Sequence, residues 1–496
     1  MRRLLSASSA PFAGLLLVLA VACAPSLPGP SGARPVAVRP DTLWVPPPAA
    51  SRAEHSAQPT ARDLPAGLAD RRTALTLEDV VALALEGSPD ARESWANARA
   101  QAAAYGAARG AWFPTIQGAA TATRLKTAAI LGRNAVTQTV YQPSASFTYL
   151  LLDLGGRSGE VRAEREALIG ANWTHNSTLQ NVVATAAAAY FDYTAARALL
   201  SAQRATVAQA DTNLAATEER RRVGVATIAD VLQARTARAQ ARLDLQAVEG
   251  NLLTTRGALA VATGFPANLE YDVDTTVVER DVTVLTDSVD ALIAAAIASR
   301  PDLAAAQASY QEARARVSVA RSQRLPSITS SGSTGYTKVG GQPGSWADSY
   351  TLTVGLQIPL FNGFTWEYNQ QQAQAEAEAA QARAEGLKQQ VVFQVFRSYY
   401  ALRTSTARVG TADELLKSAS ESAEAARGRY QGGVGSLLEL LTAESALAGA
   451  RAQRIQARLG WQAALVQLTR DAGLLDLSGQ GPLRLAPVET SNDSLP

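Results

Sequence analysis

The side chains that usually carry chemistry are scarce in this sequence. Among 496 residues there are two histidines, His55 and His175, and a single cysteine, Cys23. They supply no cysteine pair and no histidine-containing metal spacing, so no metal centre is expected. His175 falls inside a long helical stretch and reads as a polar helix position. No glycine-rich phosphate loop follows a convincing strand, which argues against nucleotide hydrolysis. Neither an enzyme nor a cofactor is therefore expected. The net charge of +2, with 18% charged residues and no long basic run, argues equally against a nucleic-acid partner.

The polar signals that remain occur twice. In Thr227-Ile228-Ala229-Asp230 and in Ser436-Leu437-Leu438-Glu439 a hydroxyl precedes an acid by three residues, the spacing of a helix capping box. Each follows a turn rich in glycine, with Gly224 in the first and Gly432, Gly433 and Gly435 in the second. These glycines admit backbone angles that let a helix end and reverse. Arginines stand just before each turn: Arg220, Arg221 and Arg222, then Arg427 and Arg429 beside Tyr430.

At the N-terminus Arg2 and Arg3 precede an apolar stretch from Phe12 to Ala22, too short to span a bilayer, which reads as an export signal over residues 1–22. The run Leu19-Ala20-Val21-Ala22-Cys23 resembles a bacterial lipoprotein processing site, with Ala20 where Leu is usual. Lipidation at Cys23 is expected, the alternative being an ordinary signal peptide cleaved nearby. Residues 23–72, rich in Pro, Ala and Ser, read as an extended tether.

These features are positioned by an internal duplication. Leu77 to Ile116 aligns on Val289 to Ile328 without a gap, and Pro89-Asp90 falls on Pro301-Asp302. Leu151 to Gly155 aligns on Pro359 to Gly363, and Arg220 to Thr227 on Arg429 to Ser436. Two repeats, residues 73–280 and 281–473, and a tail, 474–496, complete the chain. Each repeat opens with a helix broken at its Pro-Asp pair, then passes to strands predicted at 115–123 and 144–153, and at 326–338 and 349–361. In Ser349 to Leu360 the residues Tyr350, Leu352, Val354, Leu356, Ile358 and Leu360 share one face, opposite Ser, Thr, Gly and Gln. Proline-free stretches from Arg157 to Arg222 and from Thr365 to Arg429 predict helices of about 100 Å. No later segment has about twenty uninterrupted apolar residues, so any membrane crossing must use strands. Four strands cannot close a barrel, since the smallest transmembrane barrels have about eight; copies of the chain must pool them.

Taken together, Trp112-Phe113-Pro114, Arg324-Leu325-Pro326, Pro359-Leu360-Phe361-Asn362-Gly363 and the hairpin Arg429 to Ser436 resemble the TolC-like outer membrane factors, in particular their lipoprotein branch. The resemblance covers about Thr73 to Gly473. It implies a mixed α and β membrane protein: a homotrimer whose four strands per subunit form one twelve-stranded β-barrel, continued by a long periplasmic α-helical barrel. It further implies an outer-membrane conduit of a tripartite efflux pump, with a periplasmic membrane-fusion adaptor protein and an inner-membrane pump as partners and outer-membrane lipid around the barrel. The hairpins at 220–230 and 429–439 would then constrict the duct, with Glu439, Asp230, Arg429 and Tyr430 as gate residues. Glu439 lies where the family can carry an acidic ring; Thr442 stands where a second acid would fall. Gly224, Val225, Ala226, Gly433, Val434 and Gly435 would dock the adaptor, beside their role in turn geometry. Two other readings stay open: the outer-membrane component of a type I protein secretion system, and a periplasmic coiled-coil stalk without a pore.

Overall fold

A computed structural model of the protein describes residues 75–127, 136–269, 272–273, 288–340, 344 and 346–475. The export segment, Cys23, the tether, His55 and the tail beyond residue 475 lie outside the described residues. Each repeat contains the same six elements. The first has α1 (Leu77–Gly87), α2 (Pro89–Gly110), β1 (Thr115–Thr127), β2 (Val136–Leu152), α3 (Gly156–Arg222) and α4 (Ile228–Ala262). The second has α5 (Val289–Ser299), α6 (Pro301–Ser322), β3 (Ser327–Gly340), β4 (Ala347–Gln357), α7 (Thr365–Gln431) and α8 (Leu437–Asp471).

The break between α1 and α2 follows from proline, which keeps the preceding residue out of the helical region and suits the first helical position. Ser88 adds a cap by accepting the Ala91 N–H at 3.3 Å. The helices α3 and α7 each run 67 residues, about 100 Å at the usual rise. Their length is stabilised by a seam of small side chains. On α7 the buried residues Ala373, Ala377, Ala380, Ala384, Val391 and Val395 recur at steps of three, four and seven, the spacing that keeps one stripe against a partner helix. The partner is α8, packed antiparallel on α7 as α4 is on α3. Between the repeats α3 packs on α6, where Gly159 lies against Val319 and Gly170 against Ala308. No described helix is long and apolar enough to cross a membrane.

The four strands form one antiparallel sheet in the order β1-β2-β3-β4. Their register separates two chemistries. Ile116, Phe147, Gly332 and Leu352 stand opposite one another in one row, and Gln117, Ser146, Ser333 and Thr351 in the next. Since neighbouring rows point to opposite faces, one face is apolar and the other carries hydroxyls and amides. The apolar face is open, with Leu352 69% and Val354 67% exposed. Gly332 is required there because a Cβ would collide with the ring of Phe147.

The structure moves several boundaries. The strand expected at 144–153 starts at Val136, the strand expected at 349–361 ends at Gln357, and β1 continues to Thr127. Pro143 explains the first difference: pairing of β2 with β3 skips Gln142 and Pro143, while β1 keeps Ala120 opposite Pro143. The repeat alignment after the strands also shifts by one residue. Left-handed backbone occurs at Leu154 and Gly155 in the first repeat and at Gly363 and Phe364 in the second. The structural counterpart of Gly155 is therefore Phe364, not Gly363. At the same joint the buried Arg157 stacks 4.4 Å from the centre of Trp112 and donates to the carbonyls of Leu151 and Ala111.

Candidate functional site

The two helical hairpins end in turns of one design. In the first, Gly224 has φ +82° and donates to the Arg221 carbonyl at 3.0 Å, while the Val225 N–H reaches Arg220 at 2.9 Å. In the second, Gly433 has φ +78°, with bonds from Gly433 to Tyr430 at 3.2 Å and from Val434 to Arg429 at 3.0 Å. Both are Schellman closures, in which the N–H of a left-handed residue and that of the residue after it satisfy the last helical carbonyls. Gly435 adds a close approach, since a Cβ there would meet the Cβ of Arg429 at 3.0 Å. Val225 and Val434 protrude at the tips, 68% and 75% exposed.

The two acids that share a sequence pattern do different things. Asp230 closes a full capping box: its N–H reaches the Thr227 hydroxyl at 3.2 Å, and its carboxylate accepts from the Thr227 N–H and hydroxyl at 2.8 Å. The Thr227 backbone N–H, with its hydroxyl, holds the Asp230 carboxyl below the usual aspartate range. Ser436 likewise accepts the Glu439 N–H at 3.2 Å. The Glu439 carboxylate, however, pairs with the Arg429 guanidinium at 3.0 Å across the turn. The expected second capping box is thus half made, because Arg429 competes for its acid.

Of the arginines before the turns, Arg220 joins the hairpins. Its guanidinium donates to the Tyr430 carbonyl at 2.9 Å and lies 4.5 Å from the centre of the Tyr430 ring. Arg222 instead pairs with Glu219 one turn back on its own helix. Further from the tip, the Asn213 amide donates to Glu444, which also accepts from Arg427 at 3.2 Å. Below these bonds Leu214, Val231, Ala234, Ala426, Leu437 and Leu440 form a buried cluster shared by both hairpins. Asn213 and Glu444 escape sequence reading because each stands inside a regular helix with no local motif, and only the packing of α8 on α3 brings them together.

No group of metal-binding side chains occurs among the described residues. His175 is buried in α3, with Nδ1 2.8 Å from the Ser94 hydroxyl and its ring beside Trp95. The hairpin ends are thus held by an ion pair, Arg429 with Glu439, and by the hydrogen bond from Arg220 to Tyr430.

Residues 80–265 and 292–474, the two repeats, match a family described as outer membrane efflux protein. The protein CyaE of Bordetella pertussis is 29% identical over 438 residues, covering 84% of this chain and 88% of that one. The toluene efflux pump outer membrane protein TtgC of Pseudomonas putida is 25% identical over 417 residues, covering 82% and 83%. The Campylobacter jejuni CmeC outer membrane channel superposes with a TM-score of 0.73 at 19% identity, over 81% of this chain and 86% of that one.

Proposed function

The chain belongs to the outer membrane efflux protein family, and from that premise we propose that it is a trimeric exit duct whose hairpins gate the periplasmic mouth. It is an outer-membrane efflux channel, a conduit and not an enzyme. Three copies would pool their strands into a barrel of about twelve, which leaves a lumen where eight would be filled by side chains. The observation that carries this reading is the two-faced sheet. The row Ile116, Phe147, Gly332 and Leu352 suits lipid, and the row Gln117, Ser146, Ser333 and Thr351 suits a wetted lumen. A stalk without a pore has no use for such a sheet.

The long helices continue the duct into the periplasm, and the hairpins form its far end. There Arg429, Glu439, Tyr430 and Asp230 act as the gate, supported by the Arg429–Glu439 pair and the Arg220–Tyr430 contact. Gly224, Val225, Ala226, Gly433, Val434 and Gly435 form the surface that a periplasmic adaptor engages, supported by the exposed valines at the tips. The adaptor, coupled to an inner-membrane pump, opens the gate by binding the open arrangement more tightly than the closed one. Cys23 carries the lipid that holds the tether to the outer membrane; substitution by Ser should abolish palmitate labelling.

Purified protein in detergent tests the duct. The expected result is a heat-sensitive trimer that forms low-conductance pores in planar bilayers. A monomer without pores overturns the reading.

A further inference from the structure

We infer that Arg124, Lys126 and Lys338 hold the phosphate of an anionic outer-leaflet lipid against the rim of the sheet. The inference rests on the duct reading, which sets the apolar face in lipid, and adds the headgroup that this face selects. The four strands carry four charged residues: Arg124 and Lys126 on β1, Lys338 on β3 and Asp348 on β4. All four fall on the face of Ile116, Phe147, Gly332 and Leu352, because each lies an even number of residues from the member of that row on its own strand. The opposite face, which suits a wetted lumen and could solvate charge freely, carries none within the described strands. Charge on the lipid side alone points to a charged partner in the lipid.

The depth of the cations fits a headgroup. The helices join the sheet at the Thr115, Leu152, Ser327 and Gln357 ends of the strands, so the other ends face away from the periplasm. Lys338 stands ten residues along β3 from Ile328, about 34 Å of strand, or about 25 Å along the membrane normal at the usual tilt. That is the height of a barrel's apolar band. Tyr141, Tyr336, Tyr350 and Trp346 lie exposed at its outer edge, where aromatic side chains favour a membrane interface. The Lys338 Nζ is among them, 5.8 Å from the centre of the Trp346 ring. Arg124 follows one step further out on the same face, opposite Thr139, and Lys126 two steps out, opposite Thr137. A cation costs little at that depth, whereas at the midplane it would be strongly disfavoured.

The same rows leave a notch. Between Arg124 and Lys338 stand Thr139 and Gly340, directly opposite each other, and the ring of Tyr141 borders them, 3.5 Å from where a Cβ on Gly340 would lie. The two cations are two strands and one step apart, about 12 Å between backbones, a gap that their long side chains can close around one phosphate. Among the described residues Arg124, Lys126 and Lys338 make no ion pair. The one acid, Asp348, stands opposite Tyr336, one step inward from Lys338. A net positive rim that continues into the exposed Leu352 and Val354 complements a molecule with both a phosphate and acyl chains, which a free anion does not offer.

Titration of the full-length oligomer, read by native mass spectrometry, tests the site with three probes: bisphosphorylated lipid A, the same lipid without its phosphates, and inorganic phosphate. Wild type should bind the phosphorylated lipid about tenfold or more tightly than the dephosphorylated one, since each nearby cation strengthens attraction to an anionic lipid about fivefold. Arg124→Gln and Lys338→Gln should each weaken that binding about fivefold. The variant R124Q/K126Q/K338Q should bind the two lipids alike, while Lys417→Gln, exposed on α7, should leave the preference intact. Equal binding of the two lipids by wild type, or an undiminished preference in the triple variant, overturns the site, and pore-forming oligomers then leave the duct reading standing. Where the triple variant fails to assemble, the two single variants decide in the same way. Displacement of the lipid by inorganic phosphate at equal concentration overturns the lipid as occupant. A wild-type monomer without pores overturns the duct reading as well.

Discussion

Glu439 turns away from its own helix end and meets Arg429 at 3.0 Å, whereas Asp230, its counterpart in the first repeat, folds back on Thr227. The same local pattern therefore serves as a cap once and as an ion pair once. Both side chains of the pair are well exposed, 57% and 39%, so the pair contributes at most about 1 kcal/mol to stability. Glu439→Gln should leave the melting temperature within a few degrees of wild type while raising the conductance of the closed channel. The exchange Arg429→Glu with Glu439→Arg should restore low conductance. If the exchange leaks as much as the single variant, the pair does not hold the gate.

Arg220 holds Tyr430 by a charged hydrogen bond and by its position over the ring, the latter worth about 1 kcal/mol at a half-buried site. Tyr430→Phe keeps both contacts and should behave as wild type. Tyr430→Ala keeps the carbonyl and loses the ring, so it should open the channel in part. Arg220→Ala loses both and should open it further. Equal conductance in all three variants would exclude the contact from gating.

The two caps should separate by substitution. Thr227→Ala removes a closed box and should destabilise the start of α4 by about 1 kcal/mol, read as faster hydrogen exchange in its first turn. Ser436→Ala should do the same at α8. Glu439→Gln should leave α8 protected, because the Glu439 side chain takes no part in that cap.

The depressed Asp230 pKa sets a pH dependence. A carboxyl held low in the folded state stabilises it fully above the unfolded value, near about 3.9. That contribution fades as pH falls through the lower folded value. Exchange protection at the first turn of α4 should thus be constant from neutral pH down to about 5 and decline below about 4. Asp230→Asn should flatten that decline; an unchanged decline would assign it to another group.

Gly224 and Gly433 both hold left-handed backbone, where a side chain costs about 1–2 kcal/mol. Alanine at either position should loosen the turn and weaken adaptor crosslinking to the tips. Alanine at Gly250, which has open space around it within α4, should stabilise that helix or leave it unchanged.

Much of this architecture was legible in the sequence because it depends on period and repetition. The Pro-Asp pairs, the long proline-free stretches and the alternation from Tyr350 to Leu356 each reflect a local rule that the fold obeys. The early start of β2 was hidden by Pro143, which interrupts the pattern although pairing with β1 carries the strand past it. The one-residue shift between the repeats was hidden because Gly155 and Gly363 look equivalent, while the backbone places Phe364, a residue that rarely adopts positive φ, at the corresponding position. At the hairpins the sequence presented Asp230 and Glu439 as twins. Arg429 separates them, because a carboxylate within reach of both a cap and a guanidinium takes one partner, and no local pattern says which.

The central claim is a passive duct closed by its hairpins, and single-channel recording in planar bilayers tests it most directly. The purified wild-type protein should form pores of low conductance, and the variant combining Arg220→Ala with Glu439→Gln should form pores of several-fold higher, steady conductance with the oligomer intact. Pores of equal conductance in the two proteins, or no pores in either, would contradict the account.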